Sequence, residues 1–102
     1  MNDLLLKHKD SLIQLCKTLD IQRMNIFGSA VTSQFSNESD VDFLVKFSDS
    51  LSGEQYSDNY FKLHYKLREI FNRKIDVITE TTLSNPFFIE SINNSKVLIY
   101  EA

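Results

Sequence analysis

Three aspartates and one glycine–serine pair carry the types and spacing that chemistry needs in this chain of 102 residues. Asp40-Val41-Asp42 opens an apolar run that continues to Phe47. In a strand, residues two apart point to the same face. Asp40 and Asp42 therefore present two carboxylates side by side, while Val41 and Phe43 turn into the core. Adjacent carboxylates repel unless a positive charge sits between them. A hard divalent cation suits them, because magnesium takes oxygen ligands, usually one or two carboxylates plus substrate phosphates. Asp76 interrupts a second apolar run, Lys74-Ile75-Asp76-Val77-Ile78. If its strand lies beside the first, all three carboxylates share one sheet face. Three carboxylates can hold two magnesium ions. Such a pair, about 3.5–4 Å apart, clamps the attacking and leaving oxygens of an in-line displacement at phosphorus.

Gly28-Ser29 supplies the complementary half. It ends an apolar run, Met24 to Phe27, and precedes a segment that reads as a helical turn or two between Ser29 and Phe35. A glycine lets the backbone approach a phosphate closely, and a helix start offers N–H donors. The Ser29 hydroxyl can donate to a phosphate oxygen. Taken singly, Gly-Ser is an ordinary turn, Asp-X-Asp an ordinary strand edge and Asp76 a solvated side chain. The set at fixed spacing is what points to phosphate and metal.

The elements that must position these residues follow from periodicity. Asp3 to Leu19 reads as an amphipathic helix with Leu5, Leu12, Leu15, Cys16 and Leu19 on its apolar face and Asp3 able to cap it. Met24–Phe27 and Asp40–Phe47 read as strands, with Ser36 to Ser39 as loop. Ser57 to Asn72 reads as a second helix, its face formed by Tyr60, Leu63, His64, Leu67, Ile70 and Phe71. Ile75–Thr79 is a short strand. Ser84-Asn85-Pro86 opens a third helix, since proline is tolerated in a first turn, and Phe87, Phe88, Ile89 and Ile92 form its apolar face. Val97 to Tyr100 is the last strand. This order predicts a small α/β sandwich with helices packed on one mixed sheet, as a single domain over residues 1–102.

Composition narrows the class. Apolar residues make up 42% and charged residues 25% of the chain, as in an ordinary soluble domain with one core. A net charge of −3 argues against direct nucleic-acid binding, which needs a basic surface. The single cysteine, Cys16, excludes an internal disulfide and sits among leucines as a buried thiol. The run Leu4 to Leu6 is too short for a signal peptide, and no stretch reaches spanning length. A cytoplasmic protein without membrane contact is expected. His64 reads as a packed or rim histidine, His8 as exposed, Glu38 as a loop residue near the acids, and the phenylalanines as core.

Gly28-Ser29, ten residues, then Asp40-Val41-Asp42 resembles the signature of the DNA polymerase β-like nucleotidyltransferase superfamily. Within it, the chain resembles the minimal nucleotidyltransferases (MNT), antitoxin partners in HEPN–MNT toxin–antitoxin modules. The similarity runs through Asn25 to Ser29, Ser39 to Val45, Ile75 to Ile78 and the tail from Phe87 to Glu101. It implies an α+β nucleotidyltransferase-type sandwich. It implies that Asp40, Asp42 and Asp76 are the catalytic, metal-binding acids and that Gly28 and Ser29 contact the triphosphate. It further implies ATP as substrate, Mg2+ as cofactor (two ions), and transfer of AMP to a tyrosine of a partner HEPN toxin, silencing its ribonuclease. Transfer to a small hydroxylated molecule such as an aminoglycoside, and a non-catalytic toxin-binding module, stand as alternatives, and homo-oligomerisation is left open. Small-acceptor enzymes usually carry a second domain, and the sequence ends at Ala102, so a protein acceptor is expected. One departure stands out. The family commonly has an arginine and a glycine shortly after Gly-Ser, whereas Ala30-Val31-Thr32-Ser33 holds no basic residue. Arg23, Lys46, Arg73 and Lys74 are the nearest basic residues in sequence.

Overall fold

In the computed structural model, residues 3–31 and 40–102 are described. Helix α1 (Asp3–Thr18) leads into strand β1 (Ile21–Phe27), a 3-10 turn (Gly28–Val31) and strand β2 (Val41–Phe47). Helix α2 (Gly53–Phe71), strand β3 (Ile75–Thr79), a second 3-10 turn (Glu80–Thr82), helix α3 (Pro86–Ser95) and strand β4 (Val97–Glu101) follow. The four strands form one mixed sheet in the order β3-β2-β1-β4. β1 is antiparallel to both β2 and β4, whereas β2 and β3 are parallel. A parallel pair needs a long crossover, and α2 supplies it.

The expected mixed α+β sandwich is what forms, with differences at element ends. β1 starts at Ile21, three residues earlier than the apolar run, because Asp20 turns the chain in a left-handed conformation (φ 56°) and its carbonyl accepts from Ser48 N–H. α2 starts at Gly53 rather than Ser57. Ser52 and Gln55 form a reciprocal capping box, which carries the helix back over a polar stretch without apolar periodicity. Asn72 closes α2 in the left-handed region (φ 51°). α3 opens as expected, with Asn85 accepting from Phe87 and Phe88 N–H and Pro86 in the first turn.

Each strand serves two faces. One face packs on α1 and α2 through Met24, Ile26, Val41, Phe43, Val45, Ile75 and Val77 against Leu5, Leu12, Cys16, Leu63, Leu67 and Phe71. The other carries a smaller cluster, Phe27, Leu44 and Ile92, with Ile78 and Leu83 against it, beneath α3. Cys16 is fully buried, and burial pushes its thiol up to about 12, as an inert core residue should be.

Three expectations need correction. α3 buries only Ile92; Phe87 and Phe88 are 81% and 40% exposed, because a short helix over a small apolar cluster has room for one anchor. Phe61 is likewise 60% exposed on α2, so the phenylalanines are not all core. His8 is half-buried against the edge of Phe71 rather than fully exposed. Glu38 and Phe35 lie outside the described residues. Among the described residues, no helix is long and apolar enough to cross a membrane.

Candidate functional site

Strand register brings the acids together. Asp42 of β2 lies opposite Phe27, the last residue of β1, and beside Asp76 of β3. Asp42 alternates with the core residues Val41 and Phe43, and Asp76 with Ile75 and Val77. Both acids therefore project on the α3 side of the sheet, at one end of the Phe27–Leu44–Ile92 cluster. Asp40 precedes β2 on the same side. Its neighbour is fixed by the backbone, because Val41 N–H donates to the Lys74 carbonyl at 3.1 Å.

The three carboxylates interact. Asp42 is half-buried and Asp76 exposed. Burial, then the nearby charge of Asp76, then that of Asp40 push the Asp42 carboxyl up to about 6. Loss of water and like charge both disfavour the carboxylate, so a bound cation would relieve the arrangement. Among the described residues, no three acidic, histidine or cysteine groups close around one point. Asp40 instead turns toward Lys74, with Oδ2 3.8 Å from Nζ. The donor set is all carboxylate oxygen on one sheet face, which suits a hard divalent cation and no soft one.

Gly28 sits directly against this group. Its φ is +75°, a left-handed conformation that side chains rarely adopt, and a Cβ there would stand 2.5 Å from Asp42 Oδ2. The sequence suggested that glycine makes room for phosphate; in the fold it first makes room for the Asp42 carboxylate. The turn it opens is a single 3-10 turn among the described residues, so its dipole is small and any phosphate contact rests on individual N–H and hydroxyl groups. Ser29 is half-buried in that turn. Gly28 N–H points to Ser95 Oγ on α3 at 3.5 Å, which ties the turn to the last residue of that helix.

The opposite end of this sheet face is closed by structural ion pairs. Arg23 holds Glu80 through two nitrogens at 2.7 and 2.8 Å and reaches Glu101 at 3.1 Å. Lys46 and Lys96 add to the positive field around Glu80. Arg23 and Lys46 are thus placed away from the acids. Sequence reasoning could not place Lys74, yet it lies two residues before Asp76, a spacing that signals a shared face. An apolar groove between α2 and β3, lined by Tyr56, Tyr60, Phe61, Val77 and Thr79, lies on the other side and holds no acid.

A half-buried carboxylate flanked by two more, beside a glycine turn, is chemistry for a metal and a phosphate. The family model for polymerase beta nucleotidyltransferases matches residues 10–102. The chain belongs to this family. It is a nucleotidyltransferase. A relative from Methanocaldococcus jannaschii, named provisionally as a protein adenylyltransferase, is 28% identical over 97% of this chain and 94% of its own length. A second from the same organism, with the same provisional name, is 27% identical over the same shares. Among solved structures, one described as a minimal nucleotidyltransferase superposes with a TM-score of 0.75 at 22% identity, covering 94% of this chain and 95% of that one. A toxin–antitoxin structure with AMP-PNP gives 0.71 at 18% identity, covering 92% of this chain and 73% of that one. A third, an MNT antitoxin complex with the tri-AMPylated HEPN toxin of Shewanella oneidensis, gives 0.66 at 16% identity, covering 95% and 72%. The structural likenesses establish the shared fold.

Proposed function

We propose that this nucleotidyltransferase moves AMP from ATP to a tyrosine hydroxyl of a HEPN-type toxin and so acts as its antitoxin. The observation that carries the chemistry is the register that sets Asp42 beside both Asp76 and the Gly28 turn. The choice of a protein acceptor is supported by the relatives named for protein adenylylation and by the likeness to an MNT antitoxin beside a tri-AMPylated toxin.

Asp40, Asp42 and Asp76 would hold Mg2+. Bound there, the metal supplies charge neutralisation for the triphosphate and activation of the attacking hydroxyl. Gly28 and Ser29 hold the triphosphate from the adjoining turn, Ser29 through its hydroxyl. The acceptor oxygen forms a bond to the α-phosphorus, and the bond from that phosphorus to its bridging oxygen breaks. Pyrophosphate leaves with the electron pair, and Asp76, the exposed acid of the three, positions the hydroxyl and receives its proton.

The test is mass spectrometry of the protein encoded by the neighbouring gene, co-expressed with this chain. A tyrosine carrying AMP is expected. An unmodified partner whose toxicity is nevertheless neutralised would replace transfer with binding alone.

A further inference from the structure

A triphosphate brings several negative charges to a place where Asp42 already lies in the field of Asp76 and Asp40, so a side-chain cation there would add to what a metal neutralises. From Met24 to Val45, a stretch containing the Gly28-Ser29 turn and the Asp40-Val41-Asp42 pair, there is no lysine, arginine or histidine. Any side-chain cation must therefore come from elsewhere in the fold.

The eleven basic residues can be taken in turn. Lys7, Lys9 and Lys17 lie on α1, and Lys62, Lys66 and Arg68 on α2, the helices that cover the opposite face of the sheet. Arg23 is committed to Glu80 and Glu101, and Lys46 and Lys96 lie in the same charged cluster. Arg73 is half-buried with its Nε shielded from solvent and makes interactions of its own, so its guanidinium is held by the fold rather than free to swing. Lys74 is left. Its backbone carbonyl accepts from Val41 N–H, between the two aspartates of the pair, and its ammonium stands 3.8 Å from Asp40 Oδ2. Its side chain is 77% exposed, so it is tethered at the root and free to move at the tip.

We propose that Lys74 is the side-chain cation of the triphosphate site: it pairs with Asp40 while no metal is bound, and turns to a phosphate oxygen once a metal occupies the carboxylates. This rests on the nucleotide site proposed above. A long lysine stem suits the exchange, since an ammonium is a mobile point charge with three donors. The same pairing makes Lys74 a competitor of the metal for Asp40. Removing it therefore acts in opposite directions on the two ligands, which a purely structural residue would not do.

The experiment compares wild type, Lys74→Ala and Lys74→Arg in two titrations. The first uses Mg2+ alone; the second uses a non-hydrolysable ATP analogue at saturating Mg2+. Lys74→Ala should bind Mg2+ as tightly as wild type or tighter. It should bind the analogue on the order of tenfold more weakly, the loss of one charge-assisted hydrogen bond. Lys74→Arg should recover most of that loss. Analogue binding by Lys74→Ala equal to wild type would overturn the inference, as would parallel loss of both ligands with no recovery in Lys74→Arg. Wild type that binds neither Mg2+ nor the analogue would overturn the nucleotide site itself, and Lys74's role with it.

Discussion

Asp42 Oδ2 occupies the place where a side chain on Gly28 would begin, 2.5 Å from the position of a Cβ. Gly28 is held there with φ +75°, so two independent costs oppose any other residue. Gly28→Ala should lower stability by roughly 2–4 kcal/mol, part from the left-handed backbone and part from the clash. Denaturant unfolding of Gly28→Ala, Asp42→Ala and the double variant separates them. The double variant should recover the clash and keep the backbone cost. Strictly additive losses would mean that the two residues do not meet.

Asp42 is partly buried and faces the like charges of Asp76 and Asp40, so the fold without metal carries repulsion at that point. Asp42→Asn should melt in chelator at the wild-type temperature or above, while losing transfer. Mg2+ with an ATP analogue should stabilise wild type by about 2.7 kcal/mol at roughly a hundred times Kd, and the variant far less. A variant melting well below wild type in chelator would show that Asp42 makes structural hydrogen bonds instead.

Ser29 follows the strained glycine and is half-buried in the turn. A hydrogen bond to a charged phosphate is worth on the order of 1.5–3 kcal/mol. Ser29→Ala should thus reduce kcat/KM for ATP by about one to two orders of magnitude. Unaltered kinetics at limiting ATP would remove Ser29 from the phosphate site.

At the far end of the same sheet face, hydrogen bonds from Arg23 hold the Glu80 carboxyl below its ordinary value of 4.5. A depressed carboxylate adds stability above its unfolded value, and that stability fades as pH falls through the folded value. Wild type should therefore lose more stability than Glu80→Gln between neutral and acid pH, with the two curves converging once Glu80 is protonated. The gap at neutral pH should be on the order of 1 kcal/mol or less, because the pair is partly solvated. Parallel curves across the range would assign Glu80 no net electrostatic contribution.

Much of this was legible in residue order. Period-two alternation in Asp40–Phe47 and Ile75–Thr79 foretold which side each acid would take, and the structure places Asp42 level with Asp76. What alternation lacks is the partner across the sheet. Nothing local reveals that Phe27 faces Asp42, so the dual demand on Gly28 was hidden. The early start of α2 was readable from Ser52 and Gln55, a capping pair that hydrophobic periodicity ignores. The exposed Phe87 and Phe88 were misjudged for a plainer reason: residue type favours burial, but a helix on a three-residue cluster offers little to bury against, while Phe61 stands exposed on α2, whose buried residues are Leu63, Leu67 and Phe71. The spacing of Lys74 to Asp76 was readable, but its nearness to Asp40 was not, because that depends on the hydrogen bond from Val41 that seats it there.

Nucleotidyl transfer and phosphoryl transfer part company at one bond, and isotope placement reads that bond directly. The purified protein is incubated with Mg2+, its partner and ATP labelled at either the α- or the γ-phosphorus, beside Asp42→Asn as control. Attack at the α-phosphorus predicts that the partner takes up the α label, that the γ label leaves as pyrophosphate, and that Asp42→Asn transfers neither. Uptake of the γ label, or α labelling that survives in Asp42→Asn, would contradict a nucleotidyl transfer built on Asp40, Asp42 and Asp76.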